Sequence, residues 1–108
     1  MKYASTLYRG IAATGAVLVA GKPLPPRHDL RNHSPDGFAW GYGGSGPAQL
    51  ALALLADLTE DDAKAQAMYQ PFKWRVVAAL PQGKDWQLTG AQIRDVIEVL
   101  EIEARRGA

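Results

Sequence analysis

The period of apolar and polar positions changes several times along the chain, and each change marks an element. Residues 3–10, YASTLYRG, alternate and include the β-favouring Tyr3, Thr6 and Tyr8. Residues 16–24, AVLVAGKPL, form a second short apolar run that pauses at Gly21. Glycines at 10 and 15 punctuate the two runs, so residues 2–20 predict two strands joined by a short loop, with Lys22 and Pro23 ending the second. A two-stranded ribbon is not stable alone and must pack on something. From 22 to 45 the periodicity disappears. Residues 22–37 hold four prolines, the pair at 25–26 favours an extended chain, and Asp36-Gly37 reads as a turn. Irregular segments of that length are often functional.

Regular spacing returns at residue 46. AQLALALLADL is apolar nearly all round, which predicts a buried central helix over about 46–57. Ser45 or Gly46 is the expected N-cap, with Pro47 at the first helical position. Thr59 reads as the N-cap of a second helix, TEDDAKAQAMYQ, with Glu60, Asp61 and Asp62 in its first turn facing the helix dipole. Pro71 is expected to break or kink that helix near Tyr69. Residues 72–80 fit a helix through Phe72, Val76, Ala79 and Leu80, or a strand through Phe72, Trp74 and Val76; helix is favoured. Residues 81–85 predict a turn, and Trp86 and Leu88 frame a short connection. Thr89 is expected to cap a last helix with Ile93, Val96, Ile97 and Leu100 on one face and Arg94, Asp95, Glu98 and Glu101 on the other. The sum is an α+β fold: a small N-terminal β-ribbon packed on three or four helices, as one domain over residues 1–108 with ribbon 2–20, loop 22–45 and helical part 46–106.

Composition narrows the function classes more than it selects one. The chain has 108 residues, 47% hydrophobic and 21% charged, which is globular usage with room for one modest core. There is no cysteine, so disulfides, zinc ribbons and thiol catalysis are excluded. Net charge is only +1, without the global basic field of a strong nucleic-acid binder. Residues 1–56 nevertheless carry five bases against two acids, and the remainder seven against nine. Thr14 and Gly15 interrupt the apolar run IAATGAVLVAG, and no run reaches the roughly 18 apolar residues of a spanning helix, so a cytoplasmic protein without leader or membrane contact is expected.

The segment GFAWGYGGSGP, residues 37–47, offers the main candidate chemistry. It lacks the lysine of a phosphate-binding P-loop. Gly41, Gly43 and Gly46 formally match G-x-G-x-x-G, but no βαβ unit with a later acidic residue surrounds them. Two readings remain. Free backbone N–H groups at Gly44 and Ser45 could attract an anion at the helix start. The favoured reading is a structural corner: Phe38, Trp40 and Tyr42 alternate onto one side and roof the apolar helix, and the glycines permit close approach. Gln49 is the one polar side chain early in that helix and needs a partner if buried, which a loop carbonyl would supply. Just upstream, His28, Asp29, His33 and Asp36 are metal-ligand types at no standard spacing, so no metal is expected. Arg27 and Arg31 form a local basic patch with the histidines. A Ser–His–Asp set from Ser34 or Ser45, His28 or His33, and Asp29 or Asp36 lacks the nucleophile elbow, since proline stands at 47 where glycine is needed. Glu60, Asp61 and Asp62 fit first-turn residues better than an acid–base pair, and Trp74 and Trp86 fit core positions better than a stacking platform.

The stretch NHSPDGFAWGYGGSGPAQLALALL resembles a family of small uncharacterised proteins from bacteria, plasmids and phages, with the pattern N-H-S-P-x-G-F-x-W-G-Y-x-G-S-G-P-x-Q-L-A-L-A. The YQPFKWRVVAALP and Trp86-Gln-Leu-Thr segments are similar to its later part. The resemblance implies no established activity, but it implies a frequent home on mobile elements and hence an anti-defence role, such as an anti-CRISPR-like inhibitor of a host immune complex. The expectation is a binding protein without enzymatic activity or cofactor. Its contact candidates are Arg27, His28, Arg31, His33, Trp40, Tyr42, Gly44 and Ser45, with a rival acidic surface at Glu60, Asp61 and Asp62. A protein partner is expected. The alternative is a nucleotide- or nucleic-acid-binding module using the Gly-rich loop and the Ser45 helix start. Oligomeric state stays open.

Overall fold

The computed structural model describes residues 2–107, in which an antiparallel sheet and two helices enclose a third helix. Strands β1 (Leu7–Ile11), β2 (Ala16–Val19), β3 (Lys22–Pro23) and β4 (Trp86–Thr89) are ordered β3-β2-β1-β4. Helices α1 (Ser45–Thr59), α2 (Asp62–Arg75) and α3 (Gly90–Gly107) complete the α+β fold, with a short 3₁₀ turn at Val77–Ala79. The predicted ribbon is thus the centre of a wider sheet. β4 arises where only a short connection was expected, and it pairs antiparallel with β1, Tyr8 opposite Leu88 and Gly10 opposite Trp86. β3 takes up Lys22 and Pro23, which were expected only to end the second strand.

The inner sheet face follows the two-residue period: Tyr8, Gly10, Val17 and Trp86 are buried while Leu7, Arg9 and Gln87 are exposed. Gly10 sits in mid-strand for a packing reason. A side chain there would collide with the Trp86 indole, which lies directly over it. Trp86 stands edge-on to Trp40, with ring centroids 5.7 Å apart and planes at 84°. The buried Trp86 indole nitrogen has no hydrogen-bond partner among the described residues, so the ring is placed by shape.

The β2–β3 hairpin uses a two-residue turn, Ala20-Gly21, with φ of 50° and 79°. Two left-handed residues fit the twist of paired strands, but alanine there carries a Cβ penalty that asparagine avoids. Ala20→Asn is expected to raise stability by about 0.5–1 kcal/mol. Chemical denaturation measures it as a higher midpoint at unchanged m; an unchanged or lower midpoint would count against this turn assignment.

α1 is the core. Thirteen of its residues are buried, including Leu50, Leu52, Leu54, Leu55 and Leu58, as an apolar helix without a polar face requires. Its start differs from expectation: Gly44 is the N-cap, Ser45 is the first helical residue, and no side chain caps the end. Thr59 closes α1 instead of opening α2. Its hydroxyl donates to the Leu55 carbonyl at 2.7 Å, and Asp61 caps α2 by accepting from the Lys64 N–H at 3.0 Å. α2 also runs unbroken through Pro71 to Arg75. Pro71 and Ala67, whose carbonyl loses its helical donor, are both exposed residues, so the lost bond falls on the solvent side of the helix. Residues 72–80 are therefore helix, then 3₁₀ turn, as favoured. At α3, Thr89 and Gln92 form the reciprocal capping box: the Gln92 N–H donates to Thr89 Oγ1 and the Thr89 N–H to Gln92 Oε1. Among the described residues no helix is long and apolar enough to cross a membrane.

Candidate recognition surface

The irregular segment 24–44 is pinned to α1 by one buried side chain. Gln49 is 0% exposed. Its Oε1 accepts from the backbone N–H of His33 at 2.8 Å and of Ser34 at 3.3 Å. Its Nε2 donates to the carbonyls of Pro26 at 2.6 Å and Arg31 at 3.0 Å. The amide thus uses two donors and two acceptor positions, all on the loop. The expected loop-carbonyl partner is present twice over, with two loop N–H groups besides. Leu24, the first residue of that segment, is itself buried.

Side chains of the loop make further ties. Arg27 adopts a left-handed backbone, φ 60°, and its guanidinium reaches both Asp29 (3.1 Å) and Asp62 (2.8 Å). Its hydrogen bonds to Asp29 and then Asp62 hold it more firmly protonated than usual. In return, the hydrogen bond from Arg27 holds the Asp29 carboxyl below the usual carboxylate range. That pair therefore persists through mild acid and is lost only as pH falls through the lowered value. Arg27 from the predicted basic patch and Asp62 from the rival acidic surface are thus partners of one another. A further pair lies under the loop: Tyr8, fully buried, donates its phenol to Asp57 Oδ2 at 2.7 Å. Burial first, and then Asp57, push the Tyr8 phenol far up, so it stays a donor.

The remaining candidates separate. The His33 ring nitrogen Nε2 lies 2.7 Å from the Tyr69 hydroxyl, and His28 Nε2 lies 3.0 Å from the Ser34 carbonyl. Asp29 is likewise held, by Arg27. Among the described residues no group of three or more His, Cys, Asp or Glu could hold a metal. Arg31 is exposed, as are Asp36 and Ser45. Trp40 is not a surface group: it is 6% exposed and donates its indole N–H to the Lys84 carbonyl at 3.0 Å. Phe38, Trp40 and Tyr42 line one cleft with Gln82 and Gly83, but they are not equally buried. Tyr42 follows Gly41, which adopts φ 87° with its face against the Gln82 backbone, and it is 46% exposed. Glu60 occupies the left-handed C-cap of α1, Asp61 caps α2, and Asp62 opens it.

The glycine run itself is covered by aromatic rings. The Tyr42 ring lies over Gly44, and the Trp74 ring lies over Gly43; a Cβ at either glycine would collide with the ring. Trp74 is 61% exposed, against the expectation of a core position, and Lys73 Nζ sits 4.4 Å from its ring centroid. Helical phase carried the signal: on α2, Trp74 points away from buried Ala65, Tyr69 and Phe72. The strand reading of 72–80 masks that phase by placing Phe72, Trp74 and Val76 together. The outcome is two exposed aromatic rings held on a glycine corner.

The fold and this surface define a small α+β domain organised round a buried helix, with one long loop tied to its first half. The chain belongs to a family of unknown function, DUF6166, whose profile matches residues 8–99. No curated protein matches the chain, and neither does any solved structure.

Proposed function

We propose that the chain is a non-enzymatic binding protein whose recognition surface is the 24–46 segment together with Trp74, and that its partner is a protein. The observation that carries the reading is the pair Tyr42 and Trp74, 46% and 61% exposed, each seated on a glycine. Exposed aromatics cost little conformational entropy to bind when already held, and such residues dominate protein interfaces. The corner reading of GFAWGYGGSGP and the binding reading then agree: the glycines supply flat backbone for the rings. Arg31, His28 and Ser45 lie on the same exposed segment and supply polar contacts at the rim. A complex of a host defence system is the partner class implied by the mobile-element resemblance, and we carry it as part of the proposal.

The test is capture from host lysate after nuclease treatment, with the wild type and a Tyr42→Ala/Trp74→Ala variant compared side by side. The wild type is expected to retain a stoichiometric protein that the variant loses by at least about tenfold, the usual scale for a pair of aromatic hot spots. A modest loss of stability is expected in the variant, because each ring also covers a glycine, so melting curves of both proteins accompany the capture. Equal recovery by the variant would remove this surface from the reading. Recovery of nucleic acid alone from untreated lysate, lost as salt rises, would favour the anion-binding alternative at the Ser45 helix start.

A further inference from the structure

Lys73 is the only buried charged residue among those described, at 8% exposure. The other buried polar residues, Gln49 and Thr59, are hydrogen-bonded within the chain. Lys73 makes no hydrogen bond and no ion pair among the described residues; its ammonium meets only the face of the Trp74 indole, with Nζ 4.4 Å from the ring centroid. Its place in the last turn of α2 accounts for a cation but not for its burial, because Arg75 complements the same helix end from the surface, paired with Glu103. The Lys73 stem continues the buried stripe of Ala65 and Tyr69 at four-residue spacing, while the ammonium at its tip reaches the surface. The tip thus keeps every N–H free to donate.

The ring beneath that ammonium leads to the start of α1. Its far edge covers Gly43, the residue before the N-cap Gly44, so one indole touches both the cation and the chain entering the helix. That helix start is bare. Gly44 offers no side chain as a cap, and the first turn holds no acidic residue. Pro47 has no N–H, and Ala48 donates to the Gly44 carbonyl, which leaves the N–H groups of Ser45 and Gly46 without an acceptor among the described residues. Gly46 is itself buried, where an orphan N–H is costly.

We propose that Lys73 and the Ser45 start of α1 together bind one carboxylate, that of an Asp or Glu side chain on the protein partner. The inference rests on the binding reading above and names the group that the partner brings. The two carboxylate oxygens divide between the ammonium and the pair of N–H groups. One ammonium and one helix end, the latter equivalent to about half an elementary charge, match a monoanion better than a phosphate dianion. Tyr42 on Gly44 and Trp74 on Gly43 stand beside the site and shield it from water, which strengthens the charge interaction.

The experiment is a two-dimensional NMR titration of the full chain with the peptide acetyl-Leu-Glu-Leu-amide, its glutamine counterpart and inorganic phosphate, at constant ionic strength. Saturable shifts are expected at the amides of Gly44, Ser45 and Gly46 with the glutamate peptide, and binding at least about fivefold weaker with the glutamine peptide. Lys73→Met keeps the buried stem and is expected to weaken the glutamate peptide at least about tenfold, the scale of a charge-assisted hydrogen bond, without lowering the melting temperature. Ser45→Asp tests the site from an exposed position. It gives the helix start a carboxylate of its own, so it is expected to raise the melting temperature and to abolish peptide binding. Equal response to the two peptides, no saturation, undiminished binding by Ser45→Asp, or a Lys73→Met protein that binds as the wild type does would overturn the proposal. Tighter binding of inorganic phosphate than of the glutamate peptide would overturn the carboxylate assignment. The titration needs no partner, so it can fail while the Tyr42→Ala/Trp74→Ala variant still loses its captured protein, and the reverse.

Discussion

Replacing Gln49 by leucine is expected to lower stability by about 3 kcal/mol and the melting temperature by roughly 12 °C. Leucine matches the apolar surroundings of α1, so the loss does not come from packing. It comes from the loop, where the N–H groups of His33 and Ser34 and the carbonyls of Pro26 and Arg31 lose their partner together. Each must remain unsatisfied or peel away to reach solvent, and peeling exposes Leu24 and loosens the Arg27–Asp62 tie. Trypsin provides a second readout, since Arg27 and Arg31 lie in the released segment; cleavage there is expected to accelerate well before global unfolding. Gln49→Glu keeps the acceptor for the two N–H groups but presents oxygen to the two carbonyls and buries a charge, so it is expected to be at least as damaging. If Gln49→Leu melts with the wild type and resists trypsin equally, the loop is held by its other contacts and Gln49 is not its anchor.

Gly10→Ala is expected to cost about 2–3 kcal/mol, although it adds one methyl group. The new Cβ would occupy the space of the Trp86 indole. That ring is 5% exposed and has Trp40 edge-on beside it, whose own indole is tied to the Lys84 carbonyl. Moving the Trp86 ring therefore disturbs Trp40 or the β1–β4 pairing. Denaturant unfolding gives the stability, and a red shift in tryptophan emission reports the exposed ring. Gly107→Ala, where a Cβ meets nothing within 4 Å, serves as control and is expected to leave stability unchanged or slightly higher. A Gly10→Ala protein as stable as the control would mean that the two indoles are less tightly packed than described.

Both positions illustrate how far local pattern reaches. Gln49 stood out in the sequence because it is a lone amide in an apolar helix, and burial obliges such a group to find partners. Which partners depended on how residues 26–34 fold back, so only the tertiary structure names them. Gly10 read as punctuation between two strand runs. Its purpose is a tryptophan 76 residues later on an adjacent strand, a pairing that WQLT, four residues long, does not announce. The same distance hid the exchange between Trp40 and Trp74. Alternation placed Trp40 with Tyr42 and could not tell that Trp40 is covered while Tyr42 is 46% exposed; the ambiguity of residues 72–80 concealed that Trp74 lies opposite the buried stripe of α2. Thr59 was a plausible cap by residue type, yet Asp61 fills that role because α1 continues to Thr59.

By itself the sequence determined the class of fold. The two-residue alternation of β1, the all-round apolarity of α1, the four-residue face of α3 and the Thr89 cap are local properties, set by strand and helix geometry before any tertiary contact forms. The tertiary structure alone decided the sheet's four-strand order, which aromatics are buried and which face solvent, and that Arg27 and Asp62, 35 residues apart, neutralise each other. These depend on which distant segments meet. A local period fixes the direction of a side chain relative to its own backbone and carries no information about the surface that will cover it.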